Sequence, residues 1–145
     1  MEPIRLIRDL NELRGTCYFE FLPGEFKQHC WNDGSVFLAE ETFGFIEPII
    51  VRHERKFDHY AFVGIRRHAW EQISADLAAL ANRCDRATSI GDLADDVGFF
   101  FTTTEQEFAA DFQASVADLS RLSSELANWL RSTLQEHECI SILGM

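Results

Sequence analysis

No apolar run in the sequence approaches the roughly twenty residues that cross a bilayer. Arg5, Arg8 and Asp9 interrupt Met1–Glu12, where a signal peptide would need an apolar centre. A cytoplasmic protein without membrane association is the expectation. Positive charge is scarce: 13 Lys and Arg stand against 24 Asp and Glu, a net charge of −11. Binding to nucleic acid draws its affinity from cations that neutralise phosphates, so this balance argues against a nucleic-acid partner. Cys17, Cys30, Cys84 and Cys139 form no CxxC, which leaves the chain without the spacing of a zinc site or a redox dithiol. Free thiols, and no metal or cofactor, are expected. GxGxxG, GxxxxGK[ST], HExxH and GxSxG are all missing, so the phosphate-cradling loops, the zinc helix and the nucleophile elbow lack their residues. A protein that is not an enzyme is the expectation from these absences.

What is present is apolar and aromatic. Hydrophobic residues make up 46% of the 145, thirteen of them Phe, enough to offset the entropy of ordering one domain spanning 1–145. The chain is organised around Thr104–Glu138, where Phe108, Phe112, Leu119, Leu122, Leu126 and Trp129 recur at helical spacing. The pattern predicts one long helix, and Thr104 with Glu107 has the form of a capping box at its start. Val116, Leu130 and Leu134 widen the stripe, which suits a helix buried in its own domain better than a free coiled coil.

Taken in order, Leu6, Leu10 and Leu13 predict a short N-terminal helix ending at Gly15. Cys17–Leu22, Phe26–Trp31 and Val36–Glu40 read as strands separated by Pro23-Gly24 and Asn32-Asp33-Gly34. Phe43–His53 reads as a further strand, at an edge or a bulge because Pro48 lacks a donor, and Phe57–Ile65 as the next. Trp70, Ile73, Leu77, Leu80 and Cys84 mark a second helix. Ser89 and Asp92 cap a single turn within the polar joint Ala87–Gly98. Phe99–Phe101 and Cys139–Leu143 close the set as short strands. The fold class is α+β: an antiparallel sheet of about five to six strands packed on one face by two to three helices.

The negative charge is uneven. Residues 15–52 carry six acids against two bases and residues 86–145 carry ten against three, whereas residues 53–85 carry five of each. Acidic surface speeds encounter with a basic protein and can occupy a groove built for phosphate. The candidate partner-binding residues are therefore Asp92, Asp95 and Asp96 in the polar joint, with Glu40 and Glu41 on a loop. Two other readings compete. His29, His53 or His59 beside a carboxylate could serve a small enzyme of unknown reaction. The long helix could pair with its own copy in a homodimeric scaffold or adaptor, with Trp129 at the interface.

The chain resembles the small acidic immunity proteins of bacterial contact-dependent inhibition and other polymorphic toxin systems. The resemblance lies in the acidic single domain, Phe45-Ile46-Glu47-Pro48, the long final helix and the closing Cys139-Ile140-Ser141-Ile142-Leu143-Gly144-Met145. It implies a protein without catalysis of its own that binds a cognate basic toxin domain, such as a nuclease, and blocks its activity. It carries no binding residue across, because such proteins differ widely in structure.

Overall fold

The computed structural model describes residues 1–144, so Met145 of the closing stretch lies outside them. Among the described residues the chain forms four strands and four α-helices in an α+β arrangement. The strands are β1 (Tyr18–Pro23), β2 (Val36–Ala39), β3 (Phe62–Arg66) and β4 (Cys139–Leu143). Their order across the sheet is β2-β1-β4-β3, with every neighbouring pair antiparallel. The C-terminal strand thus inserts between β1 and β3. The helices are α1 (Glu40–His53), α2 (Arg67–Arg86), α3 (Thr102–Ala110) and α4 (Phe112–Thr133).

Period-two alternation sends Phe19, Phe21, Val36, Leu38, Ile140 and Ile142 to one face, where they join the buried side of α1 and α2. Trp70 of α2 is fully buried there and donates its indole N–H to the Ile140 carbonyl at 3.0 Å. α4 packs along α2, so Leu119, Leu122, Leu126 and Leu130 are buried inside the domain and Trp129 packs on the same core. The apolar stripe of the long helix is thereby occupied.

Several sequence expectations need correction. The expected sheet of about five to six strands has four, because three of the seven segments that read as strands are not strands. Phe43–His53 belongs to α1: its buried positions 42–43, 45–46 and 49–50 follow the helical period, and this burial overrides the strand preference of the Ile-rich run. Phe26–Trp31 is a loop, with Gln28 and Trp31 at φ of 74° and 65°, in which no strand can continue. Phe99–Phe101 is irregular and lies against α1. The N-terminal segment is largely extended, with only a 3-10 turn at Leu10–Glu12, because Ile7 and Phe37 exchange backbone hydrogen bonds and so extend the ladder beyond β2. The single long helix is two, broken at Asp111, whose φ of −129° and ψ of 57° leave the helical region. Thr104 caps nothing and instead donates to Glu41 Oε2 at 3.2 Å.

The other sheet face is covered by the N-terminal segment and by the loop after β1. Glu20, only 2% exposed, holds that loop by accepting from Asn32 N and Nδ2 at 2.9 Å, from Ser35 Oγ at 2.6 Å and from Trp31 N. Four donors replace the water that a buried carboxylate has lost.

Candidate functional site

Two glycines and a proline bring the site together. Pro48 in the middle of α1 has no N–H to give Gly44, which opens that turn of the helix. Gly98 enters the opening and donates to the Phe45 carbonyl at 3.2 Å. Phe100 in turn crosses Gly44 so closely that a Cβ on Gly44 would lie 3.0 Å from that of Phe100. The segment Gly98–Phe101 is thus laid across α1, and Phe100 stacks flat on His59, with centroids 4.3 Å apart and planes at 2°.

Glu40 and Glu47 stand seven residues apart on α1, two turns along one face, and both reach His59. Nε2 lies 3.1 Å from Glu40 Oε2, and Nδ1 lies 3.0 Å from each oxygen of Glu47. An ionised carboxylate only accepts, so both contacts are hydrogen bonds when the ring carries a proton on each nitrogen. The His59 side chain is 8% exposed and has no ring nitrogen left for a substrate. Around it, Tyr60 is 66%, Phe101 40% and Phe100 37% exposed. Phe100 meets Phe101 edge-on at 4.8 Å, and His59 meets Tyr60 at 4.9 Å, so the rings form one continuous patch. On one side of it a cleft of about 240 Å³ is lined by Glu2, Glu40, Glu41, Tyr18 and Phe101, with Arg14 as its cation. On the other a more open, largely apolar cleft of about 330 Å³ is lined by Glu47, Pro48, Val51, Phe99 and Phe100.

The sequence candidates divide between this patch and a second place. Glu40 and Glu41 are on no loop: they form the first turn of α1, where the helix dipole favours negative charge. Asp96 lies near the far end of α1, about 18 Å away along a helix of this length. It is buried and paired with Arg52 Nη2 at 2.8 Å and with Arg83, which ties the polar joint to α1 and α2. Its carboxylate is engaged in the fold rather than presented to solvent. The Asp95 side chain is exposed, and its carbonyl accepts from Arg52 at 3.0 Å. Asp92 closes the capping box of a 3-10 turn at Ile90–Leu93. Backbone and side-chain bonds from Thr88, then the backbone of Ser89, hold its carboxyl below the usual carboxylate range.

The histidines are not brought together. His53 Nε2 sits 2.7 Å from Asp76 Oδ2, which also receives Arg52 at 2.9 Å. Burial pushes the Asp76 carboxyl up, but its hydrogen bonds to His53 and Arg52 outweigh this and hold it below 3.8. The Arg52 guanidinium is raised in return by Asp96 and Asp76. His29 and Cys30 lie in the loop held by Glu20, and burial followed by the Glu20 charge pushes the Cys30 thiol up, away from the reactive thiolate. Cys17 is exposed like Cys30, whereas Cys84 and Cys139 are buried. Among the described residues no three His, Cys, Asp or Glu side chains form a metal-binding group, and no helix is long and apolar enough to cross a membrane.

Sequence reasoning named Glu40, Glu41 and His59 but missed Glu47, Tyr60, Phe100 and Phe101. The seven-residue spacing of Glu40 and Glu47 becomes a signal only once the segment is read as a helix. The chain matches no protein-family model, and no characterised protein or solved structure matches it.

Proposed function

We propose that the protein is a binding protein for a basic protein partner, and that it acts in the cytoplasm as an immunity protein neutralising a cognate toxin domain. The observation that carries this reading is the exposed ring cluster Tyr60–Phe100–Phe101, bordered by the cleft of Glu2, Glu40 and Glu41. Protein interfaces centre on aromatic side chains and surround them with polar groups. Here the polar border is negative, and Tyr18 and Phe101 line the same cleft, so it suits an Arg or Lys side chain held by carboxylate and ring together. The net charge of −11 adds long-range attraction for such a partner. The toxin assignment within this class comes from the resemblance, and the ring cluster supports its binding half. Catalysis through His59 gains no support, since both ring nitrogens face carboxylates.

The test is co-expression with the protein encoded immediately upstream of this gene. Growth arrest by that protein should be relieved by the wild-type chain and much less by a folded Tyr60→Ala/Phe101→Ala variant. Equal protection by both would remove the ring cluster from the interface. Absence of toxicity or of binding would remove the toxin reading.

A further inference from the structure

The two edges of the sheet are not alike. The outer edge of β2 is closed by the N-terminal segment, where Ile7 N donates to Phe37 O at 2.9 Å and Phe37 N to Ile7 O at 2.8 Å. Among the described residues β3 pairs only with β4. Two bonds bracket that ladder, Gly144 N to Ala61 O and Arg67 N to Glu138 O. Their phase makes Val63 and Ile65 the residues bonded to β4 and turns the N–H and C=O of Phe62, Gly64 and Arg66 outward. The Arg66 carbonyl is taken by the first turn of α2, for which Arg66 is the cap. Among the described residues the outward groups of Phe62 and Gly64 have no partner. Such an edge is normally protected by charged side chains, a proline or a bulge; β3 has no proline, its one charge is Arg66 at its end, and Phe62 is 48% exposed on it.

We infer that β3 docks against β3 of a second copy of the chain, antiparallel about a dyad through Gly64, so that two sheets become one. The argument for a second copy is complementarity in register. With Gly64 opposite Gly64, the point where identical residues meet carries no side chain. Two bonds form there, and one more runs from each Arg66 N–H to the Phe62 carbonyl of the other copy. The same register sets each Phe62 ring opposite Arg66 of the other copy on the outer face, a cross-strand cation–ring pair made twice. Charge permits it at this place. The protein carries −11 overall, but β3 lies within residues 53–85, where five acids balance five bases, and Arg66 has Glu25 beside it at 4.0 Å. With four backbone bonds and two side-chain pairs, the dimer is weak and concentration-dependent.

Sedimentation velocity of the full chain across a concentration series tests this. The wild type should pass from monomer to dimer. Phe62→Lys sets a lysine opposite Arg66 of the second copy and should raise the dissociation constant by roughly tenfold. Phe62→Glu sets a carboxylate there and should keep the dimer, and Phe62→Lys with Arg66→Glu should restore it. Amide exchange at Gly64 and Arg66 should slow as concentration rises, a readout that needs no variant. A wild type that stays monomeric, or equal effects of Lys and Glu at position 62, would overturn the inference. In the second case the edge serves as a generic sticky surface.

Discussion

Gly98 and Pro48 are in contact so close that a Cβ on Gly98 would fall 2.9 Å from Pro48 Cγ, with the Gly44 carbonyl 3.0 Å away. Neither neighbour can give way, one being a ring and the other backbone. Gly98→Ala should therefore lower stability by about 1–3 kcal/mol, in the manner of an overpacked core, and loosen Phe100 from His59. Gly91→Ala is the comparison, since its Cβ would meet only Ser89 Oγ at 3.7 Å. Denaturant midpoints measure both, and coincident midpoints would show that the segment is not held by this contact.

Leu126 lies mid-way along α4, fully buried against α2. Leu126→Ala should cost about 2–5 kcal/mol, because the helices on either side cannot collapse into the space. A midpoint near that of the wild type would contradict the packing of α4.

These two residues mark what the sequence could and could not reveal. Leu126 was legible because a helical stripe repeats over many turns and one residue more or less leaves the period intact. The strands β1, β2 and β4 and the helix α2 were legible for similar local reasons. The role of Gly98 was not, because it depends on α1 being a helix, and the Ile-rich run Ile46–Val51 with Pro48 inside reads locally as a strand. That single misreading hid the site: with Phe43–His53 as a strand and Glu40 on a loop before it, nothing relates Glu40 to Glu47, whereas the helix Glu40–His53 aligns both on His59. The break at Asp111 was also hidden, since Phe108 and Phe112 keep helical spacing across it.

Among the described residues His59 is the one side-chain partner of Glu47 and, with its other nitrogen, binds Glu40. His59→Leu would leave two mostly buried carboxylates facing an apolar side chain and should cost about 3 kcal/mol. Adding Glu40→Gln and Glu47→Gln to that variant should recover part of the loss, because the remaining groups are then neutral. Thermal or denaturant unfolding of the three proteins decides it, and a triple variant less stable than His59→Leu alone would show that the carboxylates have other uses in the fold.

Asp76 gives a pH dependence with a definite sign. Its folded value lies below 3.8, so its pairing with His53 and Arg52 adds stability above 3.8 and is lost as pH falls through the lower folded value. Asp76→Asn should therefore be clearly less stable than the wild type near pH 6, and the gap should narrow towards about pH 2. Unfolding midpoints across that range test the sign, and a gap that widens on acidification would reverse it.

For partner binding, the structure decides which carboxylates can be reversed informatively. Asp96→Lys would set a third cation beside Arg52 and Arg83, so lost binding would report lost folding. Glu2 and Glu41 line the cleft beside Phe101, and among the described residues neither forms a salt bridge. Association with a basic partner should be fast at low salt and slow as ionic strength rises, since exposed charges beyond about 8–10 Å are screened at physiological salt. Glu2→Lys with Glu41→Lys should lower the association rate and flatten that salt dependence. Phe101→Ala should act on the other rate: a ring at the interface centre is worth about 2 kcal/mol, which appears as dissociation faster by more than tenfold with association little changed. Surface plasmon resonance against the protein encoded upstream separates the two effects, with circular dichroism showing that each variant is folded. If the charge reversal speeds dissociation and the ring truncation leaves it alone, the carboxylates lie at the centre of the interface and the rings at its edge. If neither variant alters either rate, the partner binds another face, and Trp31 on the loop held by Glu20 is the next exposed ring to truncate.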